Sequence, residues 1–146
     1  MNANIKIGFV GGGNMATALI EGILKKKLFA PSQVGVFEPD AVRAKKLQKY
    51  KISLFPSNAL LAAASPVLLL AIKPQQVGLV LENIAPLIGP KHLILSILAG
   101  IDTETFYKKL PRTTRLIRIM PNLCAQIAEG ASALYASKTA TAADRS

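Results

Sequence analysis

The stretch I-K-I-G-F-V-G-G-G-N-M-A, Ile5 to Ala16, runs from an apolar strand through three consecutive glycines into an amphipathic helix. Gly11, Gly13 and Ala16 fit the G-x-G-x-x-G/A spacing that turns a first strand into a first helix beneath a dinucleotide pyrophosphate. Each position has a mechanical task. Gly11 permits the tight turn, Gly13 has no Cβ to hold phosphates off the backbone, and Ala16 lets helix and strand pack closely. The N–H groups of the helix start, with their partial positive charge, would face the pyrophosphate. The setting makes the match more specific than a bare glycine turn, because Met15, Leu19, Ile20, Ile23 and Leu24 share one helical face.

Outward from this turn, apolar runs alternate with helical periods. Strands are predicted at Val34 to Phe37, Ile52 to Phe55, Val67 to Ile72, Leu93 to Leu98 and Arg115 to Ile119. Helices are predicted over Ala41 to Tyr50, Asn58 to Ala64 and Gln75 to Leu87, with another capped by Asp102 or Thr103 and running through Leu110. The alternation predicts an α/β, doubly wound Rossmann-type domain with a mainly parallel sheet. Right-handed crossovers then bring three loops to one edge: Gly11 to Asn14, Glu38 to Asp40, and Ala71 to Pro74. Lys73 stands at a strand tip stopped by Pro74, either near a bound phosphate, ribose or nicotinamide, or simply in solvent. Glu38 ends the second strand, where an acid accepts from ribose hydroxyls or is an exposed turn residue. Such a carboxylate repels a 2′-phosphate and favours NAD, although Arg43, Lys45 and Lys46 could approach that phosphate.

At 146 residues the chain reads as one domain with a core of its own. The formal charge of +10 invites a nucleic-acid reading, but the basic residues are scattered and the aromatics do not interleave with them as a stacking platform. No nucleic-acid partner is expected. The longest apolar run, Ala59 to Ile72, is broken by Ser65 and Pro66, so no membrane partner is expected either. The start lacks a signal-peptide pattern, which favours a cytoplasmic location. Cys124 is the only cysteine and His92 the only histidine. No metal site is expected, Cys124 reads as a buried structural thiol, and His92 reads as a polar strand-edge residue.

Joined to the glycine turn, the segments L-L-L-A-I-K-P (Leu68 to Pro74), S-I-L-A-G-I (Ser96 to Ile101), R-I-M-P-N (Arg118 to Asn122) and A-E-G-A-S-A-L-Y-A (Ala128 to Ala136) form an ordered set. That set resembles pyrroline-5-carboxylate reductase. The resemblance implies NAD(P)H-dependent reduction of 1-pyrroline-5-carboxylate to L-proline, with NADP or NAD as cofactor. It implies that Gly11, Gly12, Gly13, Asn14 and Met15 line the pyrophosphate and nicotinamide, that Asn58 lies near the adenosine, and that Ala71, Lys73 and Pro74 border the cofactor. By the same likeness Ala99 sits under the nicotinamide, while Met120, Pro121 and Asn122 face the substrate. A catalytic acid or base is not identified.

The family often has Thr-Pro where Leu123 and Cys124 follow M-P-N here, and relatives preferring NADPH tend to carry small hydroxyl or basic residues near Glu38. Residues 1–136 are expected to form the NAD(P)-binding domain and 137–146 the start of a connector helix. The family carries a helical dimerisation domain, which is expected to be absent from this chain, so an excised or truncated amino-terminal domain, weakly active or inactive alone, is expected. The full-length protein would be a homo-oligomer through that domain. A stand-alone NAD(P)-binding module and a related Rossmann reductase, such as an F420-dependent NADP oxidoreductase, are the alternatives; the M-P-N segment weighs against the latter.

Overall fold

The structure is a computed structural model that describes residues 4–121, 132–136 and 140–145. The first unit is β1 (Ile7–Val10), α1 (Asn14–Lys25) and β2 (Val34–Phe37), and β2 leads through α2 (Ala41–Leu47) to the two-residue β3 (Ser53–Leu54). A crossover through α3 (Asn58–Ala64) then returns the chain to β4 (Val67–Leu70), and α4 (Val77–Ile84), β5 (Leu93–Ser96), α5 (Thr103–Tyr107), β6 (Arg115–Pro121), β7 (Ser132–Ala136) and α6 (Ala142–Arg145) follow. These strands form one sheet in the order β3-β2-β1-β4-β5-β6-β7. All pairings are parallel except β6 with β7. The predicted doubly wound, mainly parallel architecture is therefore what forms.

Alternation along the strands builds two layers. Leu68 and Leu70 of β4 join Leu61, Val80, Leu81 and Phe106 on the face covered by α3, α4 and α5. Leu69 turns the other way, with Ile7, Phe9, Val34 and Val36, onto Ala16 and Ile20 of α1 and Leu47 of α2. Burial of each such Leu, Ile or Phe contributes about 1.5–3 kcal/mol, so α1 and α2 are fixed to the sheet chiefly by packing. Of the face predicted for α1, Ile20 is buried, whereas Met15, Leu19, Ile23 and Leu24 are half-buried around it.

Several elements are shorter than their sequence pattern. Val67 to Ile72 keeps strand form only to Leu70, and Leu93 to Leu98 only to Ser96, because the chain turns off the sheet edge once the parallel ladder ends. The predicted helix Gln75 to Leu87 is three pieces: a 3-10 turn Pro74–Gln76, α4, and a 3-10 turn Ala85–Leu87 containing Pro86, which has no N–H to donate. Asp102 does cap α5, accepting from Thr105 N–H at 2.9 Å, but the helix ends at Tyr107. β6 extends to Pro121, and β7 pairs with it although the sequence carries no separate strand signal there. His92 directly precedes β5, at the strand end where the sequence places it, but it is buried. It is 2% exposed. Its Nδ1 accepts from Gly89 N–H at 3.0 Å, so Nε2 carries the proton and donates to Ala62 O at 3.0 Å. No helix among the described residues is long and apolar enough to cross a membrane.

Candidate functional site

The strand order reverses between β1 and β4, and the carboxyl ends of these two strands open a cleft there. Backbone bonds fix its floor: Gly11 N–H donates to Phe37 O at 2.9 Å and Ala71 N–H to Val10 O at 2.8 Å. Gly11 has φ +99°, and a Cβ there would lie 2.6 Å from Ala71 O. Both facts require glycine. At Gly13, by contrast, a Cβ would meet nothing within 4 Å, so this position borders open space. Gly13 is the N-cap of α1, with no side chain capping the helix start and no acid in its first turn. An uncapped start of a twelve-residue helix facing a cleft suits an anionic group.

The cleft holds about 690 Å³. It brings together Gly11, Gly13, Asn14, Glu38, Asn58 and Lys73, which come from three separate loops and the start of α3. Asn58 is 9% exposed, and its Oδ1 has no hydrogen-bond partner. A buried acceptor on a cleft wall calls for a donor from whatever fills the cleft. Phe37, Leu79 and Val80 add an apolar wall. Sequence reasoning did not find Leu79, which is 66% exposed on the outward face of α4 that it shares with Asn83.

Glu38 is not the exposed turn residue that one of its two sequence readings describes. Its side chain is only 6% exposed. Oε2 accepts from Gly12 N–H at 2.6 Å, and Oε1 accepts from Asp40 N–H at 3.2 Å with Arg43 Nη1 3.8 Å away. The carboxylate thus fastens the glycine turn to the end of β2. Asp40 in turn caps α2, accepting from Arg43 N–H at 3.0 Å, and that bond holds its carboxyl below the usual range.

Two smaller clefts adjoin. Gly12 lies in one of about 430 Å³ between α1 and α2, with Arg43, Lys46, Lys49, Tyr50 and Glu21. Met15, Ala71, Pro74 and Ala99 lie together in the other, a shallow apolar cleft of about 300 Å³ between the glycine turn and the ends of β4 and β5. Met120 and Pro121 close β6 two strands from β4, and Asn122 and Cys124 lie outside the described residues. No group of His, Cys, Asp and Glu among the described residues could hold a metal ion.

A family model described as NADP oxidoreductase coenzyme F420-dependent matches residues 6–100, the span that builds β1 to β5 and the clefts. The chain belongs to that family. It is also 37% identical over 142 residues to the pyrroline-5-carboxylate reductase of Methanosarcina acetivorans, covering 97% of this chain and 53% of that protein. Among solved structures, the pyrroline-5-carboxylate reductase of Coxiella burnetii superposes with a TM-score of 0.90 at 26% identity, over 99% of this chain and 53% of the other. The Plasmodium falciparum pyrroline carboxylate reductase, solved with NADP bound, gives a TM-score of 0.86 at 26% identity, over 99% and 53%. The resemblance drawn from the sequence motifs is borne out. The chain spans about half the length of the curated relatives it matches.

Proposed function

We propose that the chain is the cofactor-binding part of an NAD(P)H-dependent pyrroline-5-carboxylate reductase, which reduces 1-pyrroline-5-carboxylate to L-proline. One observation carries the reading: the family model ends at residue 100, whereas the likeness to pyrroline-5-carboxylate reductases runs over 97% of the chain and so includes the R-I-M-P-N segment. Residues 1–136 form the dinucleotide domain in this proposal, and 137–146 open the connection to a helical domain through which the full-length protein would self-associate. Cytoplasmic residence belongs to the same proposal.

The chain's own residues fit a dinucleotide. The open space at Gly13 admits a phosphate close to the backbone, the uncapped start of α1 from Asn14 offers it N–H donors, and the orphaned Asn58 Oδ1 offers an acceptor to the adenosine. Gly11 and Gly12 shape the turn, and Glu38 holds it in place. Met15, Ala71, Pro74 and Ala99 border the nicotinamide half, Lys73 borders the cofactor from the main cleft, and Met120, Pro121 and Asn122 are on the substrate side. When bound, the nicotinamide supplies a hydride to the C=N carbon of the imine. The apolar cleft at Met15 and Ala99 excludes water from one face of that ring and fixes its orientation, which is where much of the acceleration of such a transfer arises. A side-chain acid is not required if the imine arrives protonated.

Titration with NADH and NADPH, followed by nicotinamide fluorescence, tests the cofactor half; absence of saturable binding of either sinks it. The substrate half is tested by joining this chain to the carboxy-terminal half of the Methanosarcina acetivorans relative. The chimaera should form proline from 1-pyrroline-5-carboxylate, and a folded, cofactor-binding chimaera without that activity overturns the assignment. Reduced F420 as the hydride donor is the second reading, favoured by the family description. Oxidation of reduced F420 by the same chimaera with NADP would establish it instead.

A further inference from the structure

Six lysines that are scattered along the chain gather at the end of the sheet opposite the candidate cofactor cleft. Lys6 directly precedes β1, Lys25 ends α1 and is followed by Lys26 and Lys27, and Lys49 and Lys51 lie in the turn that leads from α2 into β3. Because β1, β2 and β3 are parallel, all these positions fall at the amino ends of the strands. Side-chain contacts join the two groups. Tyr50 Oη donates to Glu21, one turn before Lys25 on α1, and Lys49 Nζ lies 5.1 Å from the Tyr50 ring centroid. All six lysines are exposed, and none forms a salt bridge with a described residue. In the other half of the sheet, by contrast, Lys109, Arg112 and Arg115 each pair with an acid, at 2.7, 3.0 and 2.6 Å. Glu21 is the single acid in residues 4–37 apart from none at all in 41–81, and Glu38 and Asp40 stand at the carboxyl end of β2.

Backbone geometry sets two of these lysines apart. Among the described residues, the non-glycine positions with positive φ are Lys27 at +57° and Lys51 at +60°. Glycine or asparagine takes this left-handed conformation at less cost. Lys27 N–H donates to Leu24 O at 3.1 Å and Leu28 N–H to Ile23 O at 3.0 Å, the pair of bonds that closes a helix on a left-handed residue. The residue after such a turn commonly packs back onto the helix, yet Leu28 is 64% exposed. One or two cations complement the end of α1. Helix capping does not account for six unpaired lysines around an exposed leucine. We infer that the amino end of the β1–β3 half is a docking surface for a bilayer rich in anionic phospholipid, with the lysines drawn to the headgroups and Leu28 entering the interface. Lysines act as flexible point charges and suit a diffuse anionic surface, whereas a shaped phosphate site favours arginine, and no arginine is among them. A nucleic acid would call for free stacking side chains, but Lys49 stands over the Tyr50 ring and Phe29 is packed against the core. Docking of this kind needs no membrane-spanning helix.

Co-sedimentation of the wild-type chain with vesicles tests this, using phosphatidylcholine alone and phosphatidylcholine with about one-third phosphatidylserine. The chain should bind the anionic vesicles at least about tenfold more tightly, and raising the salt from about 0.1 M to about 1 M should abolish the difference. Lys26→Glu/Lys27→Glu should weaken that binding by about thirtyfold and Leu28→Ala by about threefold. Lys91→Glu/Lys108→Glu makes the same change in net charge on the other half of the sheet and should cost less than about threefold. All three variants should keep the wild-type midpoint of urea unfolding, because the side chains they replace are exposed. Binding to neither vesicle, equal binding to both, equal losses in the two double variants, or tighter binding to single-stranded RNA than to the anionic vesicles each overturns the inference. The cofactor reading stands or falls separately, since its cleft lies at the other end of the strands.

Discussion

The two halves of the site are built in different ways. On the side proposed for the adenosine, the glycine turn, the end of β2 and the start of α2 are tied to one another by short polar contacts: Gly12 to Glu38, Asp40 to Glu38, and Asp40 to Arg43. On the nicotinamide side, Met15, Ala71, Pro74 and Ala99 border a shallow apolar cleft of about 300 Å³ with Ile72, Ile97 and Leu98. The first half is preorganised by residues close to it in the βαβ unit. The second presents a surface that something else must cover before water is excluded. This division is what the proposed function requires of a cofactor-binding part, in which the hydride donor is held by this chain and the acceptor is enclosed by more of the protein.

The sharpest way to break the adenosine half is at its glycines, which have opposite reasons for being glycine. Gly11→Ala places a Cβ 2.6 Å from Ala71 O at φ +99°, so urea unfolding should show a loss of about 2 to 4 kcal/mol. Gly13→Ala places its Cβ in open space, so stability should change by less than about 1 kcal/mol while cofactor affinity falls by about tenfold or more. If Gly13→Ala binds NADPH as the wild type does, the cofactor phosphates do not approach this position.

Glu38→Ala comes next. It leaves the half-buried Gly12 N–H without its acceptor, which should cost about 1 to 3 kcal/mol and speed hydrogen exchange at the Gly12 amide. The relative affinity for NADPH and NADH should change little in this variant, because the Glu38 carboxylate is turned onto the Gly12 and Asp40 N–H groups. A large gain in NADPH affinity would mean that the carboxylate had been repelling the 2′-phosphate after all.

How much of this is legible in the sequence follows from the range of the interactions. The β1–α1–β2 unit and the glycine spacing are local patterns, and α3 is legible at Asn58 to Ala64 ahead of Pro66, whereas its cap by Ser57 is seen in the structure. β7 was missed because the pairing of Ser132–Ala136 with β6 is set by its partner's register and has no turn signature of its own. The inward turn of Glu38 was equally hidden, since its bond to Gly12 spans 26 residues and exists only once β1 and β2 are paired. The spacing that makes Arg43, Lys46 and Lys49 one wall is visible in the chain. That the wall faces a cleft beside the glycine turn is not, because it depends on α2 packing against the same sheet face as α1.

That packing is closed at its far end by Tyr50, whose hydroxyl donates to Glu21 of α1 and whose ring carries Lys49 Nζ 5.1 Å from its centroid. Partial burial first, and the neighbouring Glu21 carboxylate second, push the phenol from 10.0 up to about 12. A tyrosine with a raised folded pKa adds stability that is fully present below pH 10. As pH rises from 10 to about 12 the unfolded chain loses the proton more readily than the folded one, and the contribution is lost. Unfolding free energy should therefore fall across this window in the wild type, and the part of the fall due to this group should be absent in Tyr50→Phe. At pH 7 the same variant should lose no more than about 1 kcal/mol, because the contact lies at an exposed edge. The effect is the smallest of the series, yet it is specific to the adenosine side, because the tyrosine ties α1 to the turn that follows α2. A change in cofactor affinity in Tyr50→Phe, with stability intact, would show that this tie also holds the walls of the cleft between α1 and α2.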